Sequence, residues 1–137
     1  MNDCVFCKII NNELPANKIY EDEKIIAFLD IDPINKGHAL LVPKQHYSST
    51  LETPDQVVCN LAIMAKKIAK AIMRATGAHA CNIGINNGKE SGQVVFHTHW
   101  HIMPRFENDG YELWKGKDTT YVDGEAAQVA AKIKNNL

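Results

Sequence analysis

The chain has 137 residues, 45% hydrophobic and 23% charged, proportions of a globular domain able to bury a core without disulfide staples. Fifteen lysines and arginines against 16 aspartates and glutamates leave a formal net charge of −1. That balance argues against bulk nucleic-acid binding through a basic stripe but leaves room for a small phosphorylated ligand.

No repeat, low-complexity stretch or linker divides the sequence, and residues 1–137 are expected to form one domain. Apolar-rich stretches at 17–21 and 24–29, separated by Asp22-Glu23, predict a β-hairpin. Residues 32–37 are turn formers, and His38-Ala39-Leu40-Leu41-Val42 predicts a third strand ended by Pro43. The clearest helix follows, with Thr53 as N-cap, Pro54 in the first position and Gln56 completing a capping box. Val57, Leu61, Met64, Ile68 and Ile72 then recur at helical spacing, and Gly77 supplies a C-terminal stop. Residues 81–85 predict a strand, 86–92 a polar, glycine-rich loop, and 94–103 a further strand stopped by Pro104. Ala126, Val129, Ala130 and Ile133 predict a short helix within 124–137. This order predicts an α+β fold: an antiparallel sheet of about five strands, one long helix and short terminal helices.

The longest apolar run, 25–29, is far short of the roughly 20 residues of a membrane helix. The N-terminus shows no signal-peptide pattern. A cytoplasmic, reducing setting is therefore expected, with the cysteines as thiols or metal ligands. Cys59 and Cys81 lie in apolar segments and are expected as buried packing residues. His79 is expected on the surface.

Three of the six histidines fall in His97-Thr98-His99-Trp100-His101. On a strand, alternation points His97, His99 and His101 one way and Thr98, Trp100 and Ile102 the other, towards the helix. Three imidazoles on one face make poor core material, since each needs partners for a donor and an acceptor. Two chemistries fit: a zinc site, or an imidazole nucleophile attacking phosphorus, whose tautomer a neighbour must fix. The adjoining loop Asn86-Asn87-Gly88-Lys89-Glu90-Ser91-Gly92-Gln93 favours phosphorus, because backbone N–H groups at glycines approach phosphate closely.

The run Gly92-Gln93-Val94-Val95-Phe96-His97-Thr98-His99-Trp100-His101-Ile102-Met103 resembles the signature of the histidine triad (HIT) family, and of its nucleotide-binding branch most closely. Phe6-Cys7-Lys8-Ile9-Ile10, Ala27-Phe28-Leu29-Asp30-Ile31 and Lys36-Gly37-His38-Ala39-Leu40-Leu41-Val42-Pro43-Lys44-Gln45-His46 are similar to it in the same order. The resemblance implies a homodimer that shares a continuous sheet and acts as a nucleotide hydrolase or transferase. His99 would be the nucleophile at the α-phosphorus of a purine nucleoside phosphoramidate or similar nucleotide, with a nucleotidyl-histidine intermediate. His101 would bond the phosphate or leaving group, His38 would be a fourth active-site histidine, and Gln93 would help stabilise the phosphoryl charge. Phe6, Ile9, Phe28, Asp30, Ile31, Leu40, Asn86, Gly92 and Val94 match nucleotide-binding positions, with Asp30 towards the ribose hydroxyls. Val94 departs from the family, where Ser or Thr often stands. Tyr111 and Trp114 are expected near the partner subunit's pocket.

Cys4-x-x-Cys7 alone fits a redox pair, half a zinc site or chance. The resemblance adds His46 and His97, implying a Cys2His2 structural zinc site and no catalytic metal. A metal-dependent hydrolase with the triad as ligands, and a non-enzymatic nucleotide-binding protein, are the competing readings.

Overall fold

The computed structural model describes residues 3–112 and 119–137. Its elements are α1 (Val5–Ile10), β1 (Lys18–Glu21), β2 (Ile25–Leu29), β3 (Ala39–Pro43), α2 (Asp55–Thr76), β4 (Ala80–Gly84), β5 (Trp100–Arg105) and α3 (Glu125–Lys134). The strands form one antiparallel sheet in the order β1-β2-β3-β5-β4, the α+β architecture expected from the sequence. Among the described residues, no helix is long and apolar enough to cross a membrane.

The sheet is covered on both faces, which is why β2 and β3 read as nearly continuous apolar runs. Alternation along them divides the core in two. Ile25, Ala27, Ala39 and Leu41 join Trp100 and Ile102 against Leu61, Ala65, Ile68, Ala69 and Ile72 of α2. Ile26, Phe28, Leu40 and Val42 face the other way, where Phe6 and Ile9 of α1 close over part of them. The histidines share this second face. Trp100 and Ile102 lie on the helix face, as the alternation predicts.

α2 ends as predicted: Gly77 is left-handed (φ 74°) and its N–H donates to the Met73 carbonyl. Its start differs. Pro54 occupies the N-cap without a side-chain cap, while the Thr53 hydroxyl turns inward, donating to the Ser49 carbonyl at 2.9 Å and pairing with Thr98 Oγ1 at 2.8 Å. Gln56 donates to Asn60 instead of closing a capping box. A buried hydroxyl partner from a distant segment therefore wins over the local cap.

The histidine strand also differs from expectation, starting at Trp100 and running through Pro104. Residues before Trp100 are drawn off the sheet by the segment after β3: the Thr98 N–H donates to the Tyr47 carbonyl at 2.7 Å. Pro104 pairs with Cys81 on β4, but β5 has there outrun β3, whose last pairing is Ala39 with Ile102. The Pro104 carbonyl accepts from Asn35 Nδ2 at 3.0 Å. In a strand the N–H of that residue would point the same way, into a side with no ladder to lose. Cys59 is exposed rather than buried, because it falls on the outer side of α2, and Cys81 is half-buried against the helix-face core. His79 is exposed, as expected. α3 forms with no buried residue.

Candidate active site

His99 is held by its own chain. Its Nδ1 lies 2.7 Å from the His97 carbonyl. A carbonyl only accepts, so Nδ1 carries the proton and Nε2 keeps the lone pair. The ring is 7% exposed and meets Phe6 edge-on at 5.1 Å. Burial lowers its pKa, partly offset by the carbonyl and by Asp30, so the ring is neutral and nucleophilic at neutral pH.

His38 and His101 form a second assembly with the opposite outcome. The Ile34 backbone N–H donates to His38 Nδ1 at 3.2 Å, which puts the His38 proton on Nε2. That N–H reaches His101 Nδ1 at 2.9 Å, so the proton of His101 sits on Nε2. Each lone pair of the two rings is already accepting, and a further proton must displace one of these bonds. Burial lowers the pKa of both rings, and His101 falls to about 4, with His99 and His38 adding to the effect. The Asp30 carboxylate opposes it from 3.6 Å (His38 Nε2) and 4.0 Å (His101 Nδ1). The site thus presents one nitrogen lone pair on His99 beside one N–H on His101, with ring centroids 5.1 Å apart.

These rings open on a cavity of about 650 Å³, the size of a small-molecule site. Phe6, Ile9, Phe28 and Leu40 form its apolar wall, and Asp30, Asn86 and Gly92 contribute polar edges. Ile31 and Val94 also line it, but at the rim, 100% and 86% exposed. Asp32, Asn17 and Val95 line it as well, and sequence reasoning missed them. Asp32 stands two residues after Asp30, which was the one signal available.

Gln93 departs from expectation. It is buried and does not line the cavity. Its Nε2 donates to the Ser48 and Val95 carbonyls at 2.7 and 3.0 Å, and its Oε1 accepts the Gly88 N–H at 2.8 Å. With both ends committed to backbone, this side chain fastens the loop and is not turned to a phosphate. Gly88 and Gly92 in that loop are both left-handed, at φ 92° and 89°, the conformation glycine tolerates without strain.

His97 is likewise separated from the cavity. Its Nε2–H donates to the Pro43 carbonyl at 2.8 Å, which aims the Nδ1 lone pair at Cys4 Sγ (3.4 Å) and Cys7 Sγ (3.6 Å). His46 Nδ1 approaches Cys7 Sγ at 3.4 Å, and ligand atoms of Cys4, Cys7, His46 and His97 all lie within 4.8 Å of one another. Four ligands at ~2.0–2.3 Å from a tetrahedral zinc would be separated by roughly 3.5 Å, so the spacing and donor set fit such an ion. Burial lowers the His97 pKa to about 4, keeping the lone pair available, and raises that of the Cys7 thiol. The Pro43 carbonyl is the outer partner that orients a ligating imidazole.

Asp30, His38 and His101 also bring three potential ligand atoms within 4.8 Å. There, however, the two imidazole nitrogens share a proton at 2.9 Å, closer than ligands of one ion would sit. The triad is divided: His97 belongs to the cysteine cluster, His99 and His101 to the cavity. A site with all three as ligands of one metal does not match this arrangement. Tyr111 is described, with its ring 5.3 Å from Arg105 Cζ. Trp114 lies outside the described residues.

Comparison with known proteins agrees with this geometry. The HIT domain family model matches residues 11–108. "Adenylylsulfatase HINT3" of Arabidopsis thaliana is 43% identical over 99% of this chain and 70% of its own length. "Adenosine 5'-monophosphoramidase hnt1" of Schizosaccharomyces pombe is 36% identical over 96% and 98%. The crystal structure of a Streptococcus mutans protein superposes with a TM-score of 0.93 at 40% identity, covering 99% of this chain and 86% of that one. A zinc-bound histidine triad family protein from Mycobacterium smegmatis superposes at 0.78, with 34% identity and 99% coverage of both chains. An antiparallel sheet carrying a divided run of histidines over a small-molecule cavity is the histidine triad architecture, and the chain belongs to the HIT family.

Proposed function

We propose that this protein is a nucleotide hydrolase that cleaves at the α-phosphorus of a purine nucleoside phosphoramidate or similar 5′-nucleotide, through a nucleotidyl-histidine at His99. The observation that carries this is the pair of opposite tautomers, a lone pair on His99 Nε2 beside an N–H on His101 Nε2. The lone pair forms the Nε2–Pα bond while the Pα–leaving-group bond breaks, its electron pair departing with the leaving group. The His101 N–H hydrogen-bonds a phosphoryl oxygen or the leaving atom, where negative charge grows. Water then attacks Pα and releases one proton to solvent, replacing the one that the departing group takes up; the Pα–Nε2 bond breaks with its pair returning to nitrogen, and the nucleoside monophosphate leaves. Two displacements replace one difficult step. The apolar wall receives the base and Asp30 the ribose hydroxyls, while Gln93 keeps the loop's glycines in place. The relatives named for nucleotide hydrolysis support the reaction class.

In the same reading, Cys4, Cys7, His46 and His97 hold a structural zinc. Four protein ligands leave it no open position for substrate, so the metal ties α1 to the catalytic segment. The zinc-bound M. smegmatis relative supports this. The chain works as a cytoplasmic homodimer, a second copy extending the sheet from β1 or β4, its two edge strands; sedimentation velocity reads that mass directly. A non-enzymatic nucleotide-binding role is the second reading, favoured by Val94, which offers no hydroxyl to the cavity. Assaying release of nucleoside monophosphate from an adenosine phosphoramidate separates the two. Wild type should turn over, with or without a chelator so long as it stays folded. His99→Ala should bind the nucleotide and release nothing. Turnover by folded His99→Ala at the wild-type rate would refute the assignment.

A further inference from the structure

The cavity has an acidic lining. Its lining includes two carboxylates, Asp30 and Asp32, and, among the described residues, no lysine or arginine. His38 and His101 add little positive charge, because each already accepts a hydrogen bond on its unprotonated nitrogen and burial drives both towards the neutral form. The two carboxylates differ in employment. Asp30 is turned inward: Oδ1 accepts the Asp32 N–H at 2.9 Å and Oδ2 lies 3.6 Å from His38 Nε2. The same turn leaves the Asp32 side chain at the exposed rim, next to Ile31. Its charge still reaches His38, favouring the protonated ring.

With the α-phosphorus at His99 and the base on the Phe6 and Phe28 wall, the ribose would lie between them, in the cavity that both aspartates line. We propose that Asp32 is a specificity-determining residue, whose carboxylate at the cavity mouth admits a ribose with free hydroxyls and rejects one bearing an additional phosphate at its 2′ or 3′ oxygen. This rests on the nucleotide reading above. Hydroxyls are donors that a carboxylate accepts, whereas a phosphate monoester adds a charge of about −1.5 to −2. With no cationic side chain among the described lining residues to offset it, the repulsion across water at ~7 Å is worth roughly five- to tenfold in affinity. It weakens with salt.

The test compares kcat/KM for adenosine 5′-phosphosulfate and its 3′-phosphorylated analogue in wild type, Asp32→Asn and Asp32→Lys. Wild type should prefer the unphosphorylated compound by about five- to tenfold at low ionic strength, narrowing as salt is raised. The preference should fall to near unity in Asp32→Asn and invert in Asp32→Lys. A graded response to charge is one that a merely structural role would not produce. An identical preference in all three folded proteins overturns the proposal. If neither compound is turned over, calorimetric titration with adenosine 5′-monophosphate and adenosine 3′,5′-bisphosphate reads the same discrimination. Equal affinity for the two overturns the proposal alone; no binding of either overturns the nucleotide reading with it.

Discussion

His99 and His101 are two positions apart, yet they carry their protons on opposite nitrogens, and the proposed chemistry rests on that difference. The period-two spacing showed in the sequence that the rings would share a face. It could not show their tautomers, which are set by the His97 carbonyl and by an N–H from Ile34 acting through His38. Nor could it show that Gln93 is spent on three backbone partners. Two predictions belong at this scale. His101 titrates near 4 in the fold but near ~6.5 in an unfolded chain. Between those values the unfolded chain binds a proton that the fold refuses, so stability falls as pH drops through this window. The loss should reach up to roughly 3 kcal/mol and should be smaller in His101→Gln. Urea midpoints across that pH range check it, and equal acid sensitivity in the two proteins would contradict it. Val94, at the cavity rim, offers no hydroxyl to the cavity. Val94→Ser should raise kcat/KM by roughly 5- to 30-fold if it supplies one transition-state hydrogen bond worth ~1–2 kcal/mol. A folded variant with unchanged kcat/KM would remove that explanation.

At the scale of elements, local patterns held where nothing distant competed. The hairpin, the long helix, its glycine stop and the terminal helix all formed where apolar spacing and turn residues indicated. Thr53 and Pro104 were misread because capping boxes and proline stops are local rules. Here Thr98 captures the Thr53 hydroxyl, and the sheet's uneven edge gives Pro104 a place with no donor to supply. Glycines give a graded test. Gly77→Ala imposes only the left-handed backbone, since a Cβ there meets nothing within 4 Å, and should cost about 1 kcal/mol. Gly37 has φ +100° and a Cβ would come within 2.7 Å of Thr76 Cγ2. Gly37→Ala should therefore cost roughly 2 kcal/mol or more and, being next to His38, lower kcat as well. Urea unfolding ranks the two, and equal costs would contradict this reading.

At the scale of the whole molecule, the sheet separates two tasks. One face packs α2 over the larger apolar cluster; the other carries α1, the cysteine cluster and the cavity. Cys4 and Cys7 at the start of α1 meet His97 from 93 and 90 positions away in sequence, so a bound zinc would close a long loop beside His99. Chelation should lower the melting temperature of wild type by several degrees and leave Cys4→Ser unmoved, with metal analysis near one zinc per wild-type chain. A melting temperature indifferent to chelator would count against the zinc. The central claim, covalent chemistry at His99, is tested most directly by mass spectrometry after rapid quenching of the protein with an adenosine phosphoramidate. One adenylyl group is expected on the peptide containing His99, localised to that residue and absent from His99→Ala. Turnover without any labelled histidine, or a label on His97 or His101 instead, would contradict it.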